Sequence, residues 1–223
     1  MNRDLFWKAM LKFFSGVLLV GALLFFPAGS FAYWQAWLLI AILFVPMFAA
    51  GPVMMVKNPE LLRKRLNAKE EQTEQKQVIA FSALMFLAAF ILAGLNFRFR
   101  WLMLPRWAVW TAAALFLLAY LLYAEVLREN AYLSRTVEVQ ENQKVIDMGL
   151  YGIVRHPMYA ATVLLFLSMP LVLGSPLSFA VMLFYLPLII KRIRNEEAVL
   201  ERRLEGYADY MKRVKYRLLP GIW

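Results

Sequence analysis

The chain has 223 residues, 62% hydrophobic and only 18% charged, with a net charge of +10. Globular proteins carry roughly 45–50% apolar and about 25% charged residues, so this composition belongs to a membrane protein and not to a soluble domain. The absence of cysteine excludes disulfides, thiolate metal sites and cysteine nucleophiles, and a single histidine, His156, leaves too few ligands for an ordinary zinc site.

A transmembrane helix needs about 20 apolar residues, fewer inside a bundle. Residues 11–27 are the first such run. Lys8 and Lys12 stand at its start in the manner of a signal peptide, but no small-residue cleavage site follows, so it reads as a span. Residues 33–56 are the second; neighbouring helices can accommodate its Pro46 and Pro52. Residues 78–96 and 107–127 are the third and fourth. Residues 158–173 and 176–190 form a tight pair around Gly174-Ser175-Pro176, a link too short for any fold of its own. The expected fold is all-α integral membrane, with about six transmembrane helices, a cytoplasmic cofactor-binding loop and an amphipathic C-terminal helix. It forms one membrane domain, residues 1–127 making a four-span part and 128–223 the catalytic part.

Basic residues gather on the cytoplasmic side of membrane proteins. With both termini there, 22 of the 25 Lys and Arg lie inside: three in the N-terminal segment, six in 57–77, four in 128–157 and nine in the tail. Only Arg98, Arg100 and Arg106 lie outside. This split accounts for the positive charge with no nucleic-acid partner. Tyr33, Trp34, Trp37, Trp101, Trp107 and Trp110 fit an interfacial belt on the outer side.

Two inner stretches are too polar to be spans. Residues 57–77 read as a charged helix with Pro59 at its start. Residues 128–157 contain the β-leaning run Thr136-Val137-Glu138-Val139-Gln140, then Lys144-Val145-Ile146, then Gly149-Leu150-Tyr151-Gly152. A loop of that length inside a compact bundle is usually functional. It leads into Arg155-His156-Pro157-Met158-Tyr159, where Pro157 suits the first helical turn because its missing N–H would lack a partner anyway. Proline also keeps His156 extended, so the chain turns sharply into the membrane. The open N–H groups and dipole of such a helix start favour an anion, with Arg155 and His156 beside it; alternatively both side chains simply snorkel at a helix end.

In the tail, Ile193, Leu200, Leu204, Tyr207, Met211 and Val214 recur at gaps of three and four once a member is placed at Glu197. An acid on the apolar stripe of an amphipathic helix is costly unless partnered, which points to a role for Glu197. Glu196, one step round, is expected to face outward and pair with Arg192. Gly206 is a candidate break in this helix. No G-x-G-x-x-G follows a strand, and no P-loop or G-x-S-x-G occurs.

The run Gly149-Leu150-Tyr151-Gly152-Ile153-Val154-Arg155-His156-Pro157-Met158-Tyr159 resembles the signature of the isoprenylcysteine carboxyl methyltransferase family, itself similar to phospholipid N-methyltransferases. Arg192-Ile193-Arg194-Asn195-Glu196-Glu197, Tyr207, Tyr210 and the closing Tyr216-Arg217-Leu218-Leu219-Pro220-Gly221 resemble its C-terminal motif. Tyr33-Trp34-Gln35-Ala36-Trp37 and Asn58-Pro59-Glu60-Leu61-Leu62 look like prokaryotic members, which implies a multi-pass protein of the inner membrane. The resemblance implies an enzyme using S-adenosylmethionine without a Rossmann fold, and no metal. It implies that His156, Tyr159, Tyr151, Leu150 and Tyr210 line the cofactor pocket, and that Glu197 holds a polar group of the cofactor. Arg192 and Arg155 would sit nearer the acceptor, a lipophilic or prenylated molecule from the bilayer, at its carboxylate. An amine N-methyltransferase is the first alternative; a membrane reductase and a non-catalytic scaffold are the others.

The charge split makes a direct prediction. Reporter fusions after Trp223 and within residues 57–77 should both score cytoplasmic; an external signal from either reverses the orientation.

Overall fold

In the computed structural model, residues 3–66, 73–130, 132–133, 139 and 141–223 are described. The apolar runs become helices: α1 (Arg3–Ala28), α2 (Trp34–Lys57), α4 (Thr73–Phe99) and α5 (Arg106–Glu129), with the short α3 (Pro59–Leu66) between α2 and α4. A 3-10 turn at Gly149–Gly152 precedes α6 (Pro157–Val172), α7 (Pro176–Met182), α8 (Tyr185–Arg203) and α9 (Tyr207–Arg213). No strand occurs among the described residues. Of the β-leaning run, only Val139 is described; the rest lies outside the described residues.

Five stretches are long and apolar enough to cross a membrane: α1, α2, α4 from Lys76, α5, and Pro176–Arg203. The sixth expected span is α6, which has only 16 residues. Its partner stretch is interrupted at Leu183 and Phe184, between α7 and α8. Pro187 is the cause: its ring clashes with the carbonyl four residues back, at Leu183, and it offers no N–H to bond it. Of the charged helix expected over 57–77, residues 59–66 form α3 and residues 73–77 open α4, while 67–72 lie outside the described residues. Asn58 starts α3 by accepting the Leu61 N–H at 3.1 Å, as N-cap side chains do.

The bundle core is built from small and large side chains in alternation. Ala36, Ala93, Ala112 and Ala119 are buried beside Leu24, Leu39, Phe116 and Met169. Apolar burial does not drive helices together within lipid, so close packing of small residues must do so. The tightest approach is α1 against α4. A methyl group at Gly94 would lie 2.7 Å from the Leu24 carbonyl oxygen and 3.0 Å from the Ala28 nitrogen, both backbone atoms that cannot step aside. Tyr33, expected in the interfacial belt, is instead fully buried. It stacks on Phe97 at 4.3 Å and donates to the Leu173 carbonyl at 2.7 Å. That bond fastens the start of α2 to the end of α6. Trp37, Trp101, Trp107 and Trp110 stay exposed, as a belt requires.

Helix connectivity therefore separates two ends. One holds the aromatic belt and the turn at Gly174. The other gathers α3, the 141–156 segment, the end of α8 and the tail.

Gly94→Val should destabilise the detergent-solubilised protein by about 1–3 kcal/mol through overpacking. Gly51→Val, where added atoms meet nothing within 4 Å, should cost far less. Thermal melting of the two variants side by side measures the difference.

Candidate functional site

A cavity of about 660 Å³ opens at the charged end of the bundle. Its outer half is polar and aromatic, with Tyr151, Arg155, His156, Tyr207 and Tyr210 in its wall. Its inner half is apolar, walled by Leu43 and Met47 of α2, Ile79 and Phe86 of α4, and Leu165 and Met169 of α6. Tyr159, Arg192 and Glu196 also line it.

The polar half is organised around Glu197, which is 4% exposed. Its carboxylate accepts from Arg155 Nε at 2.7 Å, from His156 Nε2 at 3.2 Å and from Arg217 Nε at 2.7 Å. Within the Pro176–Arg203 stretch, Glu197 lies past the apolar part, which ends near Ile190, in the charged portion of α8. Burial pushes its pKa up, but the hydrogen bonds from His156, Arg155 and Arg217 outweigh that and hold it down at about 2. The carboxyl is thus ionised throughout the neutral range, and the surrounding cations compensate it.

The stripe that singled out Glu197 is real. Ile193, Glu197, Leu204, Tyr207 and Val214 are all buried. The helix does break where glycine was noted: Gly206 adopts a left-handed φ of 82° between α8 and α9. The restart turns Tyr210 inward, leaving Met211 only half-buried.

The tail supplies what the sequence reading left out. Residues 214–217 lie along the approach to α6. Arg155 N–H donates to the Tyr216 carbonyl and His156 N–H to the Arg217 carbonyl, each at 2.9 Å. Arg155 Nη1 adds bonds to the Val214 and Lys215 carbonyls at 2.8 and 3.1 Å. Arg217 itself is held over the Trp223 ring, 5.2 Å from its centroid. In the sequence Arg217 is one member of the closing motif. Its role depends on a fold-back that no local spacing reveals.

Other expected residues divide. His156 caps α6 with Pro157 as its first residue, as read from sequence, and its ring stacks 5.6 Å from Tyr159. Tyr151 receives a hydrogen bond from Asn130 Nδ2 at 3.0 Å, and its carbonyl accepts from the Tyr210 hydroxyl at 2.7 Å. Burial raises the phenols of Tyr151, Tyr207 and Tyr210 above their usual range, so they remain hydroxyls at neutral pH. Leu150 is not in the cavity wall. Its N–H donates to both Glu129 carboxylate oxygens, at 3.1 and 3.0 Å, pinning the 3-10 turn to the end of α5. Gly149 is required there: its φ is +58°, and a methyl group would come within 1.9 Å of Glu129 Oε1.

Glu197 is not among the residues that line the cavity, and its direct partners are Arg155, His156 and Arg217. One expectation is corrected. Glu196, expected to face outward, is the acid in the wall: the Tyr159 hydroxyl donates to it and accepts from Arg192 Nε at 3.0 Å. The Arg192 guanidinium lies over the Tyr159 ring, 5.9 Å from its centroid. Helix periodicity explains the reversal, since residues one apart point about 100° away from each other. Glu197 facing the tail turns Glu196 towards α6.

One polar atom in the wall is unsatisfied. The Tyr207 hydroxyl is buried with no hydrogen-bond partner among the described residues. Buried polar groups are rarely left so, and an unpaired one in a cavity wall is suited to a ligand.

Comparison with known proteins puts this geometry in context. A family model described as "Phospholipid methyltransferase" matches residues 107–205, from α5 to just past α8. That stretch includes His156, Tyr159, Arg192, Glu196 and Glu197 and stops short of Tyr207, Tyr210 and Arg217. The match supports a membrane methyltransferase. The chain is also similar to three Delta(14)-sterol reductases. The Mus musculus protein TM7SF2 is 29% identical over 91 residues, 40% of this chain and 22% of that protein. The Methylotuvimicrobium alcaliphilum protein is 23% identical over 135 residues, 54% of this chain and 32% of that protein. The Arabidopsis thaliana protein is 32% identical over 83 residues, 36% of this chain and 22% of that protein. The chain spans a third or less of the length of these relatives.

Removing Arg217 should leave the Glu197 charge under-compensated. Arg217→Ala should lower the melting temperature in detergent, and Arg217→Lys should restore only part of it because ammonium cannot copy the guanidinium geometry. The depressed pKa of Glu197 sets the pH window. Its contribution to stability is complete above the ordinary carboxyl value near 4.5 and is lost as pH falls from there through about 2. In Glu197→Gln that component of the acid transition should be absent, as melting curves taken across this range will register.

Proposed function

We propose that the chain is an S-adenosylmethionine-dependent methyltransferase acting on a lipophilic acceptor that enters from the bilayer. The observation carrying this reading is the two-part cavity. A polar, aromatic half with an unpartnered Tyr207 hydroxyl suits a polar cofactor, and an apolar half between α2, α4 and α6 suits a lipid chain. The family match supports the same reaction class. The cation-rich end would then face the cytoplasm, a reading supported by the distribution of 22 against three basic residues.

The cofactor would supply a methyl carbon bonded to a sulfonium. The tyrosine faces of Tyr151, Tyr159 and Tyr207 favour positive charge nearby. His156, fixed by Glu197 and by its stacking on Tyr159, would present its remaining ring nitrogen to the cofactor's polar groups. Alignment of donor and acceptor and exclusion of water are the main demands of such a displacement. Arg155 has Nε and Nη1 committed to Glu197 and the tail carbonyls, so Arg192 is the arginine assigned to the acceptor side. The resemblance to isoprenylcysteine carboxyl methyltransferases suggests a carboxylate acceptor. The matched family's description points instead to a phospholipid.

A membrane reductase is the second reading, favoured by the sterol reductase relatives. Calorimetry with S-adenosylhomocysteine and NADPH in parallel separates the two. The methyltransferase reading expects binding of the first alone; binding of NADPH alone replaces it. His156→Ala and Tyr207→Phe should each weaken S-adenosylhomocysteine binding about tenfold, equivalent to about 1.4 kcal/mol, with the melting temperature of Tyr207→Phe unchanged. If both variants bind as wild type does, the cofactor pocket is elsewhere.

A further inference from the structure

The end of the bundle away from the cavity has its own pattern of charge. Residues 29–33, 97–106 and 173–176 close it, joining α1 to α2, α4 to α5 and α6 to α7. They hold Arg98, Arg100 and Arg106 and not one Asp or Glu. All three arginines are exposed, and none forms an ion pair among the described residues.

A braced turn presents them. Asn96 is fully buried; its Nδ2 donates to the Leu102 carbonyl at 2.8 Å and its Oδ1 accepts the Leu102 N–H at 3.0 Å. Those two bonds close residues 96–102 into a loop. The Leu104 N–H donates to the Gly174 carbonyl at 3.0 Å and fastens that loop to the neighbouring turn. Phe99 and Trp101 stack 5.4 Å apart, and the Arg98 guanidinium lies over Phe99, 5.5 Å from its centroid. Arg98 also reaches the turn after α1, where a methyl group at Gly29 would meet its guanidinium at 3.7 Å. Arg100, between the stacked rings, has a φ of +53°. That is left-handed backbone, where glycine or asparagine is the ordinary residue. The turn sets the direction of Arg100 while its side chain stays exposed.

Exposed Trp37, Trp101, Trp107 and Trp110 mark this end as the level of lipid headgroups. The anionic groups at that depth are phosphates. A guanidinium takes a phosphate through two parallel hydrogen bonds. Three cations with no neighbouring acid favour a lipid of net negative charge over a zwitterionic one.

We propose that Arg98, Arg100 and Arg106 form a binding surface for the phosphate of an anionic phospholipid, with Phe99 and Trp101 against the first carbons of its chains. This lipid is a partner of the scaffold and not a methyl acceptor, because no residue of the surface lines the cavity. The inference stands apart from whichever reaction the cavity performs.

The test takes the full chain in detergent micelles and titrates phosphatidylglycerol or phosphatidylcholine. Native mass spectrometry counts the retained lipids, and thermal melting follows the fold. Phosphatidylglycerol should be held at least about tenfold more tightly than phosphatidylcholine. Each arginine beside an anionic lipid contributes about fivefold, so the triple variant Arg98→Gln, Arg100→Gln, Arg106→Gln should lose at least about tenfold in phosphatidylglycerol affinity. Its melting temperature in phosphatidylcholine should equal that of wild type. Lysine at all three positions should restore part of the affinity, since ammonium keeps the charge without the planar fork. A matched triple variant at the other end, Lys191→Gln, Arg202→Gln, Arg203→Gln, also removes three exposed cations; it should cost less than about twofold. Glycerol phosphate, the headgroup without its chains, should leave the melting temperature unchanged where phosphatidylglycerol raises it.

Unchanged phosphatidylglycerol affinity in the first triple variant overturns the surface. Equal losses in the two triple variants also overturn it, by making the attraction diffuse. Equal retention of the two lipids removes the anionic preference, and stabilisation by glycerol phosphate alone replaces the lipid with a soluble phosphate. Should the first triple variant fail to fold, Arg100→Gln alone should lose about fivefold, and wild-type affinity there overturns the proposal.

Discussion

The compensation of one buried carboxylate organises the functional end of this protein. Glu197 is brought inward by the apolar stripe of α8, where an isolated charge would be strongly unfavourable. Groups from two places in the chain partner it: Arg155 and His156 at the approach to α6, and Arg217 in the tail, the two guanidinium groups supplying the opposite charge. A buried ion cluster of this kind contributes little net stability relative to apolar packing, but breaking it is costly. Its value lies in geometry. It fixes the start of α6 against the end of α8 and clamps the tail across both, and the cavity wall is built on that junction.

The cavity's two halves follow from the two media the chain occupies. Side chains from the middle of α2, α4 and α6 need no polar partner in lipid, so space between them is apolar. Beyond the end of α5, the loop and tail bring tyrosines whose rings pack while their hydroxyls reach backbone partners, as Tyr210 does with the Tyr151 carbonyl. Tyr159, Arg192 and Glu196 stand at the seam. Two adjacent acids on one helix thus take different positions: Glu197 braces the scaffold, and Glu196 faces the contents.

Much of this was legible in the sequence because membrane physics leaves few choices. Apolar runs marked α1, α2, α4, α5 and the α6–α7 pair, and the arrival of Pro157 marked the cap at His156. The buried acid was visible as a polar member of an apolar stripe. What the sequence does not reveal depends on contacts distant along the chain or on a single proline. Pro187 broke the last span because of a clash four residues back. Tyr33 looked interfacial until the end of α6 offered its hydroxyl an acceptor. Leu150 matched a motif but serves it through a backbone N–H. Arg217 gained its part only when the tail folded back, and Glu196 was assigned the wrong side because its orientation follows from that of its neighbour.

The shortness of α6 has a consequence for depth. Sixteen residues rise about 24 Å, whereas the hydrocarbon layer is about 30 Å thick. A helix that short does not reach across the layer unless the bilayer thins around it, so its His156 end and the cavity beside it lie close to the hydrocarbon boundary. For a lipid acceptor of the kind proposed above, each methylene kept out of water would spare about 0.8 kcal/mol.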